Sequence, residues 1–333
     1  MPVAANSYQN ELPDMQLAVA QSAILGEGLL WSTVRNSWWW TDIEAATLHA
    51  WPAGGGPVTS YRLPDRVGSF AHCRSGRLLL GLAKRLCFAS VPEQSETTEV
   101  SVSSHLPVQA LVAVDPLESR TRINDGRTDR RGYFVFGTIN EAPEKRPIAS
   151  FYQYSVQHGV RRLALPAVAI ANSICFSLDG KTMYFTDTLT RCIQQCDYDA
   201  ESARVSRIRL FAEVRDTKAY PDGSVVDRNG CLWNAQWGAG SVVQYAPTGE
   251  LLKTLTLPAK NPTCPAFGGL HGDQLMVTSS RKDMNAEETI RMPLAGSLFS
   301  VRMDDCIAVP DTLFDDDDAI SHQILQNTKK RQS

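Results

Sequence analysis

Four oxygen-bearing side chains recur at one spacing along this sequence. Glu27 stands eleven residues before the apolar run that begins at Trp38. Asn124 precedes Phe134 by ten, Asn172 precedes Met183 by eleven and Asp222 precedes Leu232 by ten. Two carboxylates and an amide oxygen are hard donors, suited to Ca²⁺, Mg²⁺ or Mn²⁺. The two carboxylates, Glu27 and Asp222, would balance a divalent charge. Crowded together without a cation they would repel, and one would keep its proton. The signal lies in the recurrence, because each of these residues alone reads as a capped turn or a satisfied polar group. Arg122 lies two residues before Asn124, hence on the same strand face, and offers a fixed fork of donors for carboxylates or hydroxyls. Glu141, just past Gly137-Thr138, is placed to reach the same region. The other two positions in phase hold Val67-Gly68 and Cys264, and His72, in a unit with no polar residue in phase, reads as structural. There is no Gly-x-Ser-x-Gly elbow and no His-Glu-x-x-His pair.

The elements that must position these residues are short β-rich runs. They begin at Trp38, Leu78, Phe134, Met183, Leu232 and Leu275, at intervals of 40, 56, 49, 49 and 43 residues. Most follow a turn: Ser75-Gly76, Arg131-Gly132, Asp179-Gly180, Asn229-Gly230 and Gly272-Asp273. Asn-Gly and Asp-Gly predict two-residue type I′ hairpins, in which both central residues take positive φ. A unit of about 40–50 residues has room for the four strands of a propeller blade. The fold expected is all-β, a six-bladed β-propeller over residues 15–303. Its innermost strands line a central channel, and the residues in phase would meet there. Leu17–Ala20 is expected to close the ring beside Ser297–Val301. A polar segment, 1–14, precedes the propeller and a tail, 304–333, follows it, carrying the acidic run Asp315–Asp318 and a basic end at Lys329–Arg331. The Ser-, Thr- and Glu-rich stretch from Pro92 to His105 reads as a surface excursion.

A formal charge of −3 argues against nucleic acid and anionic membranes as partners. No apolar run approaches the ~20 residues of a spanning helix. The N-terminus lacks the apolar core of a signal peptide, so a cytoplasmic address is expected, with the eight cysteines reduced. Cys192 and Cys196, four apart on a strand, read as small buried hydrophobes and not as zinc ligands.

Taken in order, Gly26-Glu27-Gly28 with Trp31, Arg122-x-Asn124-Asp125-Gly126, Gly137-Thr138, Asn172-Ser173, Asp187, Tyr220-Pro221-Asp222-Gly223 and Phe267-Gly268-Gly269 resemble the SMP-30/gluconolactonase (regucalcin-like) family. The match spans about Leu17 to Met303. It implies one divalent metal in the channel, calcium placed first, with zinc, manganese, magnesium and iron as alternatives. It assigns Glu27, Asn172 and Asp222 as metal ligands and Arg122, Asn124 and Glu141 as substrate-binding residues. The implied activity is hydrolysis of a sugar lactone, a small-molecule substrate, with Asp222 acting on water. Two departures stand out: Leu29 occupies a position where proline is common after Gly28, and the 30-residue tail lies outside the shared pattern. An organophosphate or aryl-ester hydrolase built on the same metal, and a calcium-binding propeller without turnover, are the other readings left open.

Overall fold

In a computed structural model, the structure describes residues 14–92, 104–305 and 307–317. Strand β1 (Gln16–Val19) comes first but belongs to the last blade. Blade 1 runs β2 (Gly26–Ser32), β3 (Ser37–Asp42), β4 (Thr47–Pro52) and β5 (Thr59–Arg62). Blade 2 contains β6 (Val67–His72), β7 (Leu78–Leu82) and β8 (Arg85–Ala89). The short β9 (Ser104–His105) returns parallel to β5, and β10 (Val108–Ala113) then completes blade 2. Blade 3 is β11 (Thr121–Thr128), β12 (Phe134–Asn140), β13 (Phe151–Ser155) and β14 (Gly159–Arg162). Blade 4 is β15 (Ala171–Phe176), β16 (Thr182–Asp187), β17 (Cys192–Asp199) and β18 (Arg204–Glu213). Blade 5 is β19 (Tyr220–Val226), β20 (Leu232–Trp237), β21 (Ser241–Tyr245) and β22 (Leu251–Thr256). Blade 6 joins β23 (Asn261–Gly268), β24 (Gln274–Ser280) and β25 (Leu298–Arg302) to β1. Leu17 pairs with Phe299 and Val19 with Leu298, so the first strand closes the ring as its apolar residues predicted. Of the expectations that fall outside the described residues, those for 1–13, for 93–103 of the excursion and for 318–333 of the tail are left there.

The six apolar runs are the second strands of the six blades. They carry the core because both of their faces pack against neighbouring blades: Trp38, Trp40, Leu78, Leu80, Phe134, Phe136, Met183, Phe185, Leu232, Trp233 and Leu275 are all essentially inaccessible. The fourth strands are more open to solvent, and in blade 4 β18 is correspondingly polar.

The turns between first and second strands differ from the hairpins expected. In four blades only one glycine of the turn is left-handed, Gly76, Gly132, Gly180 or Gly230, with φ between 70° and 91°, and in blade 6 Gly272 at 66° is joined by Gly269, which opens the turn, at 84°. Each glycine N–H donates to the carbonyl three residues back, as Gly132 does to Asp129 at 3.2 Å and Gly230 to Asp227 at 3.0 Å. These are type I turns followed by a left-handed residue, the three-residue hairpin, and not type I′. In blades 3 and 5 the aspartate that opens the turn reinforces it. Asp227 Oδ1 accepts from the N–H groups of Asn229 and Cys231, both at 2.9 Å, and Asp129 Oδ1 does the same for Arg131 and Tyr133. That Asx geometry holds the intervening residues in the right-handed region and leaves positive φ to the glycine.

After β25 the chain crosses these turns. Arg228 N donates to Ile307 O, Arg127 Nη1 reaches Asp311 Oδ1 at 2.5 Å, and Phe314 N donates to His72 O. Phe314 is completely buried, stacked on Tyr154 and tilted against Phe88. Asp316 holds Ser75 and Arg77. Because first and second strands run antiparallel, these turns lie at one end of the ring. The residues that follow the second strands lie at the other.

Candidate functional site

All six innermost strands break register at the same level. The break falls between Glu27 and Leu30 in β2, Val67 and Ser69 in β6, Ile123 and Gly126 in β11, Asn172 and Cys175 in β15, Pro221 and Ser224 in β19, and Pro262 and Pro265 in β23. A β-bulge sets extra residues on one strand against fewer on its partner and re-aims the side chains there. Glu27, Asn124, Asn172 and Asp222 all sit at these bulges, which is why they recur ten or eleven residues before the second strand. In blade 2 the corresponding place is Gly68, where a Cβ would lie 2.4 Å from Ile123 O and 2.7 Å from Asn124 O. The close approach of β11 forbids a side chain at this point.

A continuous set of hydrogen bonds links Asn124 and Asn172 and reaches the backbone beside Asp222, while the Glu27 carboxylate accepts only from Gly28 N among the described residues. Arg122 Nη1 donates to Asn124 Oδ1 at 2.8 Å and Asn124 Nδ2 donates to Asn172 Oδ1 at 3.0 Å. Asn172 Nδ2 donates to Thr188 Oγ1 at 2.9 Å, and that hydroxyl donates to Pro221 O at 3.0 Å, next to Asp222. Ser173, itself left-handed at φ 61°, donates its hydroxyl to Asp222 O at 2.6 Å, and Asn234 Nδ2 donates to the same carbonyl at 3.1 Å. Arg122, Asn124, Asn172 and Asp222 are buried, while Glu27 keeps part of its surface open to the channel. Glu141 lies just past β12, where its carboxylate accepts from Arg122 Nε at 3.2 Å.

Asp125 also belongs to this cluster, and the spacing rule missed it. The rule selects one residue per blade, whereas a bulge can present two; the signal available was its place beside Asn124 in Asn124-Asp125-Gly126. Asp125 Oδ2 accepts from Ile174 N at 2.8 Å. Burial pushes the Asp125 carboxyl up to about 6. Burial, and then the charge of Asp125, lift Glu27 to about 8. Burial raises Asp222 well above the usual range, with Glu27 and Asp125 adding to it. Arg66, Glu44 and Lys282, in loops at the same end of the channel, were not legible in any periodic pattern.

Among the described residues, no Lys or Arg side chain is hydrogen-bonded to Glu27, Asp125 or Asp222. Arg122 is turned instead toward Asn124 and Glu141. A group of carboxylates, Asp222 buried and Glu27 and Asp125 partly so, flanked by an amide oxygen, fits a hard divalent cation. Also among the described residues, no three His, Cys, Asp or Glu side chains gather at ligand spacing. A cation held by Glu27 and Asp222 would therefore draw its third protein donor from Asn172.

The fold is a closed six-bladed propeller whose innermost strands bring oxygen-bearing side chains together at the hub of the ring. Residues 25–281 match the SMP-30/Gluconolactonase/LRE-like region, and the chain belongs to that family. It is 40% identical over 277 residues to an L-arabinolactonase of Azospirillum brasilense, covering 83% of this chain and 87% of that protein. It is 29% identical over 290 residues to a 6-deoxy-6-sulfogluconolactonase of Pseudomonas putida, covering 87% and 94% respectively. The crystal structure of a calcium-binding regucalcin from Agrobacterium tumefaciens superposes with a TM-score of 0.77 at 26% identity, covering 90% of this chain and 97% of that one.

Proposed function

We propose that this chain hydrolyses a sugar lactone to its aldonic acid, with one divalent cation, calcium placed first, held by Glu27, Asn172 and Asp222. The observation that carries the reading is the unpaired carboxylate cluster set directly beside the Arg122–Asn124–Asn172 string. The lactonase relatives support the substrate class. When bound, the cation supplies Lewis-acid polarisation of the lactone carbonyl. Asp222 accepts a proton from the water that attacks the carbonyl carbon. It returns that proton to the ring oxygen as the carbon–oxygen bond breaks, so the ring opens to a hydroxy acid. Ser173 and Asn234 hold the Asp222 backbone still during the transfer. Arg122, Asn124 and Glu141 present donors and acceptors to the ring hydroxyls. This polar lining suits a polyhydroxylated substrate better than an aryl ester.

The test is turnover of arabinono-, galactono- and gluconolactone, with paraoxon alongside, after chelation and after re-addition of calcium, zinc, manganese or magnesium. Lactone hydrolysis that disappears with the metal and returns with it supports the proposal. Paraoxon turnover alone would favour the organophosphatase reading, and cation binding without any turnover would leave a binding propeller.

A further inference from the structure

The mouth of the channel carries an arc of alternating charge that passes from blade 3 round to blade 6. It starts at the buried Arg122, whose Nε donates to Glu141 Oε1. Arg66, in the link between β5 and β6, forks onto both oxygens of Glu141, with Nη1 to Oε1 at 2.6 Å and Nη2 to Oε2 at 2.8 Å. The same Nη1 lies 3.8 Å from Glu44 Oε2, in the turn after β3. Glu44 is paired in turn with Lys282, which follows β24. The Arg66 and Glu141 side chains are 32% and 33% exposed, so this pair borders the opening, whereas Arg122 at 3% lies beneath it.

Glu141 stands on a loop and has a long side chain that nothing else on its own blade fixes except Arg122. A planar guanidinium that meets a carboxylate along both of its oxygens admits essentially one orientation of the pair. Each carboxylate oxygen offers two acceptor sites. Arg66 and Arg122 fill both on Oε1, and Arg66 fills one on Oε2, so a single acceptor position on Oε2 stays available for a hydroxyl donor.

We propose that Arg66 is a positioning residue for the substrate: its fork holds Glu141 against the already anchored Arg122, in the orientation that receives one hydroxyl of the lactone ring. The proposal rests on the lactonase reading above. It places Arg66 in control of substrate affinity and not of bond cleavage, which happens deeper, at Asp222. The charge of Arg66 is insufficient for this role; the two-point geometry is what matters, because an ammonium group cannot hold both oxygens in one plane.

The experiment compares wild type with Arg66→Ala, Arg66→Lys, Glu141→Ala and the Arg66→Ala/Glu141→Ala double variant, in metal-supplemented protein with the best of the lactones named above. Arg66→Ala is expected to raise KM roughly tenfold, equivalent to about 1.4 kcal/mol, with kcat within about twofold. Arg66→Lys is expected to behave like Arg66→Ala. The double variant should be no worse than Glu141→Ala alone, because two residues acting through one contact are not additive. An unchanged KM in Arg66→Ala overturns the proposal, as does a wild-type KM in Arg66→Lys or full additivity in the double variant. Thermal unfolding of each variant identifies any loss of fold, and Arg66→Lys, which keeps the charge, carries the test if Arg66→Ala does not fold. A wild type inert toward every lactone removes the functional reading and this proposal with it. An active wild type with an indifferent Arg66 removes the proposal alone.

Discussion

Removing the cation should leave a protein that loses stability as pH rises above neutrality. Glu27 in the folded chain titrates at about 8 against an ordinary 4.5, because burial and the nearby charge of Asp125 penalise its ionised form. Between those two values the folded state holds a proton that the unfolded chain has released, so stability falls with increasing pH. Two buried histidines work in the opposite sense at lower pH. His49 and His72 are held down to about 4 by burial, so stability rises with pH between about 4 and 6.5. Above pH 6.5 the histidine contribution is complete, and the carboxylates lead until near pH 8, above which buried thiols pushed up by burial add in the same direction. From pH 6.5 to 8 the Glu27 shift amounts to about 2 kcal/mol at 1.36 kcal/mol per pH unit. Its partial exposure to the channel reduces this to roughly 1–2 kcal/mol, and Asp222 adds in the same direction. The assay is urea unfolding of chelated protein at intervals from pH 6.5 to 8.5, repeated with calcium. Calcium at a hundred times its dissociation constant should restore about 2.7 kcal/mol. Glu27→Gln should flatten the slope of the chelated protein. Chelated stability that is level or increasing over this range would refute the reasoning that these carboxylates are crowded and unpaired.

Asp222→Ala should abolish lactone turnover, read by acid release, and leave the thermal midpoint of the chelated protein unchanged or higher, since it relieves the crowding. Phe314→Ala removes a completely buried ring that bridges Phe88 and Tyr154. It should cost about 3–5 kcal/mol in urea unfolding with little change in kcat, because Phe314 packs at the end of the ring away from Asp222. His72 sits edge-on to Trp39 and Phe70, and its Nε2 has no hydrogen-bond partner. His72→Leu should lessen the fall in stability between pH 6.5 and 4 by about 3 kcal/mol, measured by the same unfolding assay.

Much of the architecture was legible because it repeats. Six apolar second strands announced themselves by composition, and the glycines before them marked the turns, although not the turn type, which in blades 3 and 5 the opening aspartate reinforces. The phase of Glu27, Asn124, Asn172 and Asp222 was legible because a bulge at a fixed level keeps a fixed distance to the next strand. The partner Asp125 was hidden by that same bulge, which turns adjacent residues toward one channel while simple strand alternation would part them. Arg66, Glu44 and Lys282 come from loops with no period to read. Phe314, in a stretch that reads as polar tail, shows its role only once Cys73, Phe88 and Tyr154 are assembled around it.

The order of residues along the chain determined that six alike sheets would form, because β-branched, aromatic and glycine positions act over a few neighbours and need nothing distant to be read. It also determined which oxygen-bearing side chains each sheet would offer. Only the packing of blade on blade decided that Asn124 reaches Asn172, and only closure of the ring brought the charge of Glu27 to bear on Asp222. Those interactions join residues up to about two hundred positions apart, and burial, which sets their charge states, belongs to the assembled hub and to no single segment.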